Sequence, residues 1–108
     1  SEKYNQSINN LNIIKPKTAT AAKHVFHLYV VRTEKRDELK SLLEEKGIGV
    51  AIHYPTALPF MPCYAHRNFE FNDYPIAAKY QHQILSIPMY PEMTDEIIKS
   101  IVKELNTL

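Results

Sequence analysis

The sequence predicts an α+β fold: a two-layer sandwich whose small mixed or antiparallel sheet carries helices on one face. Three observations carry that reading. Residues 24–31 and 48–53 are apolar runs rich in β-branched or aromatic side chains, spaced as strands are. Leu39, Leu42 and Leu43, and later Ile97, Ile98, Ile101, Val102 and Leu105, recur at the three-and-four spacing of one helix face. The order β-α-β-loop-α-β-α then gives a sheet layer and a helix layer around one core.

Residues 1–23 are polar and weakly patterned, with Asn9, Asn10, Pro16 and a Thr/Ala-rich stretch at 18–22, and read as a lead-in arriving from elsewhere. Residues 24–31 are apolar on both alternating faces, as in a strand covered on both sides. His27 lies between Val25 and Tyr29, so a core histidine satisfied by a backbone partner is expected there. Thr33 is a plausible N-cap, with Glu34 and Asp37 near the positive end of the helix that follows. That helix ends near Lys46, and Gly47 can take the left-handed cap.

In 48–53, Ile48, Val50 and Ile52 alternate with Gly49, Ala51 and His53, the pattern of a half-buried strand. His53 thus shares its face with two very small side chains, which lets a ligand or another surface approach the backbone. Pro55 restricts Tyr54 to extended backbone and ends the ladder. Either His53 and Tyr54 mark a site at a strand end, or they merely cover a hydrophobic edge. Residues 54–74 have no periodicity and are broken by Pro55, Pro59 and Pro62. Loops of that length are usually functional or disordered, and Leu58, Phe60, Met61, Tyr64, Phe69 and Phe71 argue for a surface to cover. Pro75 can open a helix, with Asn72 or Asp73 near its cap and Ile76, Ala77, Tyr80 and Ile84 on one face. Residues 85–88 are strand-like, and Thr94 with Asp95 and Glu96 starts the last helix.

At 108 residues the chain is one domain, and its 44% hydrophobic and 23% charged residues are ordinary for a globular protein. A formal charge of +1 with scattered lysines argues against a nucleic-acid or acidic-membrane partner. The single Cys63 excludes an internal disulfide, so no oxidising compartment is needed. Residues 1–5 hold no apolar signal core, no run of 18 apolar residues occurs, and a cytoplasmic location is expected.

Five histidines and one cysteine raise the question of a metal. His24 and His27 would point to opposite faces of a strand and cannot chelate one ion. Cys63-x-x-His66 has workable spacing and His53 could be a third ligand, but no fourth is evident, and no metal is expected. Cys63 as a nucleophile lacks a setting that would lower its thiol pKa. With only Gly47 and Gly49, no glycine-rich phosphate loop or dinucleotide fingerprint exists.

The ordered set 24–31, Arg36-Asp-Glu-Leu39, Gly47-Ile48, Ile52-His-Tyr-Pro55 and Leu85-Ser-Ile-Pro-Met89 closely resembles the C-terminal small domain of the DegT/DnrJ/EryC1/StrS aminotransferases. The likeness runs from about His24 to Leu105. It implies the small domain of a fold-type I enzyme that uses pyridoxal phosphate to move an amino group from an amino acid to a nucleotide-linked keto-sugar. By the same resemblance, 1–23 is a linker from a large cofactor-binding domain and 24–108 is the small domain. That large domain, a second copy in a homodimer and the nucleotide-sugar are then its partners. The Schiff-base lysine belongs to the large domain, so the chain alone is expected to be inactive and to hold no cofactor. His53 and Tyr54 match the family's His-Tyr-Pro motif and are expected to touch the nucleotide-sugar. Phe60 and Tyr64 are expected to form a wall of the cleft or a dimer contact, and no residue here is expected to be catalytic. The competing reading is a free-standing α+β module that binds a metabolite or another protein. A hydrolase built on Cys63, His66 and His53 is the weaker third.

Overall fold

In the computed structural model, which describes residues 1–108, two short strands form the sheet. Strand β1 (Tyr29–Arg32) pairs antiparallel with β2 (Ile84–Ile87), setting Tyr29 opposite Ile87 and Val31 opposite Leu85. Alternation sends those four side chains to one face, and all are buried. The other face carries Val30, Arg32, Ile84 and Ser86. Single antiparallel bridges widen the sheet at both edges, Ile14 to Arg32 beside β1 and Ala51 to Ser86 beside β2.

Helices α1 (Glu2–Ser7), α2 (Arg36–Glu45) and α4 (Asp95–Leu105) close the core over the first face. Leu39 and Leu43 of α2 and Ile101, Val102 and Leu105 of α4 are buried, as their spacing requires. Thr94 caps α4, its hydroxyl accepting from the Ile97 N–H at 3.4 Å. Arg36 anchors the start of α2, its Nη1 donating to the carbonyls of Gln81 (3.3 Å) and Ile84 (3.4 Å). Helix α3 (Pro75–Tyr80) opens on Pro75 and ends with the Tyr80 ring under Arg32, 3.7 Å away, on the second face.

Several expectations are amended. The first fourteen residues are structural: Tyr4, Ile8 and Ile13 are core residues, and the Tyr4 hydroxyl donates to the Pro88 carbonyl at 2.9 Å. The expected strand at 24–31 shrinks to Tyr29–Arg32, because Phe26 takes φ +49° and its N–H donates to Nδ1 of the His24 ring at 2.8 Å. His27 is accordingly exposed. Residues 48–53 alternate as predicted, with Ile48, Val50 and Ile52 against the core, but the ladder there is one bridge. Gly47 does take a positive φ, +73°. In α3, Ile76 points outward at 67% exposure and Ile84 belongs to β2.

From Glu44 to Tyr80 no residue is buried. Residues 54–74 form an arm of three 3-10 turns, Leu58–Phe60, Pro62–Arg67 and Phe71–Asp73, held by its own aromatic pairs. The radius of gyration, 15.4 Å, exceeds the about 13 Å of a compact chain of this length.

Candidate functional site

The base of the arm is where backbone and side chains converge. Ser86 spends both backbone groups on Ala51, with its N–H to the Ala51 carbonyl at 2.8 Å and its carbonyl accepting from Ala51 N–H at 3.1 Å. Two residues on and on the same face, the His53 ring reaches back so that Nδ1 lies 2.9 Å from Ser86 Oγ. His53 is half-buried and Ser86 only 4% exposed. Tyr54 follows across a cis peptide bond, its ring edge-on to the imidazole with centroids 5.5 Å apart. At 73% exposure it stands in solvent.

Tyr54, Pro55, Thr56, Leu58 and Met61 line a mostly apolar cavity of about 430 Å³. Leu58 also borders a second one, of about 220 Å³, with Pro59, Tyr64, Arg67, Phe69 and Tyr74. The buried Gln81 side chain ties this region to the body, its Oε1 accepting from Ala57 N–H at 2.8 Å. A shelf with one polar ring, one phenol and apolar walls suits a ligand that has an oxygen-rich part and a flat or apolar part.

The four predicted residues are therefore placed unequally. His53 and Tyr54 meet at one point, and Tyr64 lines the adjoining cavity. Phe60 is taken up by packing on Phe71, ring edge to face at 4.7 Å. Sequence reasoning missed Ser86 and Gln81, whose importance depends on partners 33 and 24 residues away. Cys63 is exposed, and no three His, Cys, Asp or Glu side chains gather as metal ligands would.

A second polar cluster lies beyond β1. Gln83, 4% exposed, donates to Glu34 at 2.7 Å and accepts from Arg32 at 3.3 Å, while Lys79 stands 3.4 Å from Glu34. The Gln83 and Lys79 donors hold the Glu34 carboxyl below the usual range. These groups satisfy one another's hydrogen bonds.

Residues 1–106 match the model of the DegT/DnrJ/EryC1/StrS aminotransferase family. The chain belongs to that family. It is 40% identical, over 72% of its length, to dTDP-3-amino-3,4,6-trideoxy-alpha-D-glucose transaminase of Streptomyces venezuelae, of which the match covers 21%. Its backbone superimposes with a TM-score of 0.87 on DesV of S. venezuelae in complex with a ketimine intermediate, at 31% identity, covering 98% of this chain and 29% of that one. Spr1654 of Streptococcus pneumoniae in its PLP form shares the fold, with a TM-score of 0.84 at 23% identity, over 98% of this chain and 28% of that one. The chain spans about a quarter of the length of the curated relatives it matches. The family and these neighbours confirm the α+β class read from the sequence, and no helix is long and apolar enough to cross a membrane.

Proposed function

We propose that this chain is the C-terminal small domain of a pyridoxal-phosphate-dependent aminotransferase, and that it forms the substrate side of a cleft in which a nucleotide-linked keto-sugar receives an amino group from an amino acid. Residues 1–23 then lead in from the large domain of the same polypeptide, and the working enzyme is a homodimer. The observation that carries the reading is the His53–Tyr54 pair, braced by Ser86 and placed beside the Tyr54–Met61 cavity, in a family whose relatives include sugar transaminases.

The residues present do not fit the cofactor itself. A Schiff base needs an amine shielded from water, and no lysine of this chain is buried. No glycine-rich loop cradles a phosphate either. We therefore assign the cofactor to the large domain and read this chain, alone, as inactive. The roles left to it are binding and enclosure: His53 offers a ring nitrogen to a phosphate or sugar oxygen, Tyr54 stacks or hydrogen-bonds beside it, and Tyr64 belongs to the wall, with Phe60 supporting the arm through Phe71. The arm's outward apolar side chains favour this reading over a free-standing module, since an independent domain would have little reason to leave them in water.

The test is His53→Ala in the full-length polypeptide. It should raise KM for the nucleotide-linked sugar about tenfold, roughly the 1.4 kcal/mol of one good hydrogen bond, while the cofactor's absorbance stays as in the parent. An unchanged KM would remove His53 from the binding surface, and a full-length polypeptide that aminates no nucleotide-linked sugar would return the free-standing module to first place.

A further inference from the structure

We infer that Ser86 is a positioning residue that fixes the tautomer of His53, placing the neutral ring's proton on Nε2, so that the site presents an N–H donor and selects an oxygen acceptor. The second half of this statement rests on the substrate-side reading of His53; the first half rests on hydrogen-bond accounting alone.

A serine hydroxyl has one proton to give, and a neutral imidazole has one nitrogen that donates and one that accepts. Ser86 is 4% exposed, its backbone N–H and carbonyl are both engaged by Ala51, and the only partner of its Oγ is His53 Nδ1 at 2.9 Å. If Nδ1 carried the proton, it would donate to Oγ and leave the buried hydroxyl proton with no acceptor. Burying an unpaired donor forfeits its hydration with no return. With Nδ1 bare, Oγ–H donates to it, and the hydroxyl proton and the ring nitrogen satisfy each other. The ring proton is then on Nε2, which has no partner within the chain.

Fixing one nitrogen to define the other is how histidines are commonly set for a task. On the same face, a side chain built at Gly49 would meet no atom within 4 Å, so that face is open beside the strand. An Nε2–H donor matches a phosphate, carbonyl or hydroxyl oxygen. It cannot ligate a metal through Nε2 or accept a ligand's proton there without first changing tautomer.

The experiment is long-range proton–nitrogen NMR of the full chain with 15N-labelled histidine, with His53 assigned by the signals lost in H53Q. The expected result is a protonated Nε2 and a bare Nδ1. Ser86→Ala should shift the ring toward the tautomer mixture of a free imidazole, and Ser86→Thr, which keeps the hydroxyl, should restore the parent pattern. An Nδ1–H signature in the parent, or a Ser86→Ala spectrum identical to it, overturns the assignment. Should Ser86→Ala fail to fold, the parent and Thr spectra decide, since loss of the Nε2–H signature in either defeats the proposal. If the tautomer is as assigned but His53→Ala leaves KM unchanged, the substrate reading fails together with the selection of an oxygen acceptor, and the tautomer assignment stands.

Discussion

The body and the arm of this molecule have similar kinds of side chain and treat them in opposite ways. All twelve residues of the apolar core come from positions 4–43 and 85–105. Between them, Tyr54, Leu58, Phe71 and Ile76 are 73%, 63%, 59% and 67% exposed. Burying a large apolar side chain stabilises by about 1.5–3 kcal/mol. The twelve core residues collect that stabilisation internally, whereas these four leave it available to whatever surface comes to lie against them. Stability and recognition are thus assigned to separate stretches of one short chain, and the His53–Ser86 contact is the joint between them.

The sharpest way to break this division is to truncate one leucine on each side. Leu85→Ala should destabilise by about 2–5 kcal/mol, since it opens a hole in a packed core. That is enough to unfold much of a domain this small. Leu58→Ala should change the free energy of unfolding in urea by no more than about 0.5 kcal/mol. Equal losses would mean that the arm belongs to the core after all.

A second test uses charge in place of volume. Tyr29 is fully buried, and burial pushes its phenol up from 10.0 to about 12; Tyr4 is raised too, by burial first and then by Tyr90 and Tyr29 beside it. In the unfolded chain these phenols ionise near the ordinary value, so above that pH the unfolded state releases protons that the folded state retains. The stabilisation is therefore complete below about pH 10 and is lost as pH rises toward 12, by roughly 1.4 kcal/mol per pH unit for each such phenol. Urea titrations at stepped alkaline pH should show this slope, and Tyr29→Phe should lessen it even though it also removes the 2.5 Å bond to Asn5. A slope unaltered in Tyr29→Phe would show that the phenol is already open to solvent.

The same contrast explains what could be read from the sequence. Helices α2 and α4 were legible because Leu39 and Leu43, and Ile101, Val102 and Leu105, repeat on one face and carry their own caps or acidic first turns. The facing of His53 was legible for the same reason, since alternation across Ile48–His53 depends on the local pleat. Tyr4, Ile8 and Ile13 escaped notice because three apolar side chains in a polar context make no stripe, and their burial depends on α4 and Pro88, some ninety residues away. Residues 24–28 misled because β-forming side chains do not reveal a positive φ at Phe26. Ser86 lies inside the Leu85-Ser-Ile-Pro-Met89 motif, yet its role appears only when the chain folds Ala51 against it.

The smallest expected effect concerns the tie between the lead-in and the last helix. Lys3 on α1 bonds Asp95 in the first turn of α4, and both side chains are 57% exposed. The hydrogen bond and charge of Lys3 hold the Asp95 carboxyl below its usual range. A lowered carboxylate stabilises the fold at pH values above its unfolded pKa and loses that contribution as pH falls through the folded one. Lys3→Met should therefore return Asp95 toward the ordinary value in a carboxyl NMR titration while leaving the neutral-pH urea midpoint almost unmoved, because solvent screens an exposed pair. What fixes residues 1–14 to the body is then the buried trio Tyr4, Ile8 and Ile13, and not this bridge. A large loss of stability in Lys3→Met would reverse that order and make the lead-in an electrostatic attachment.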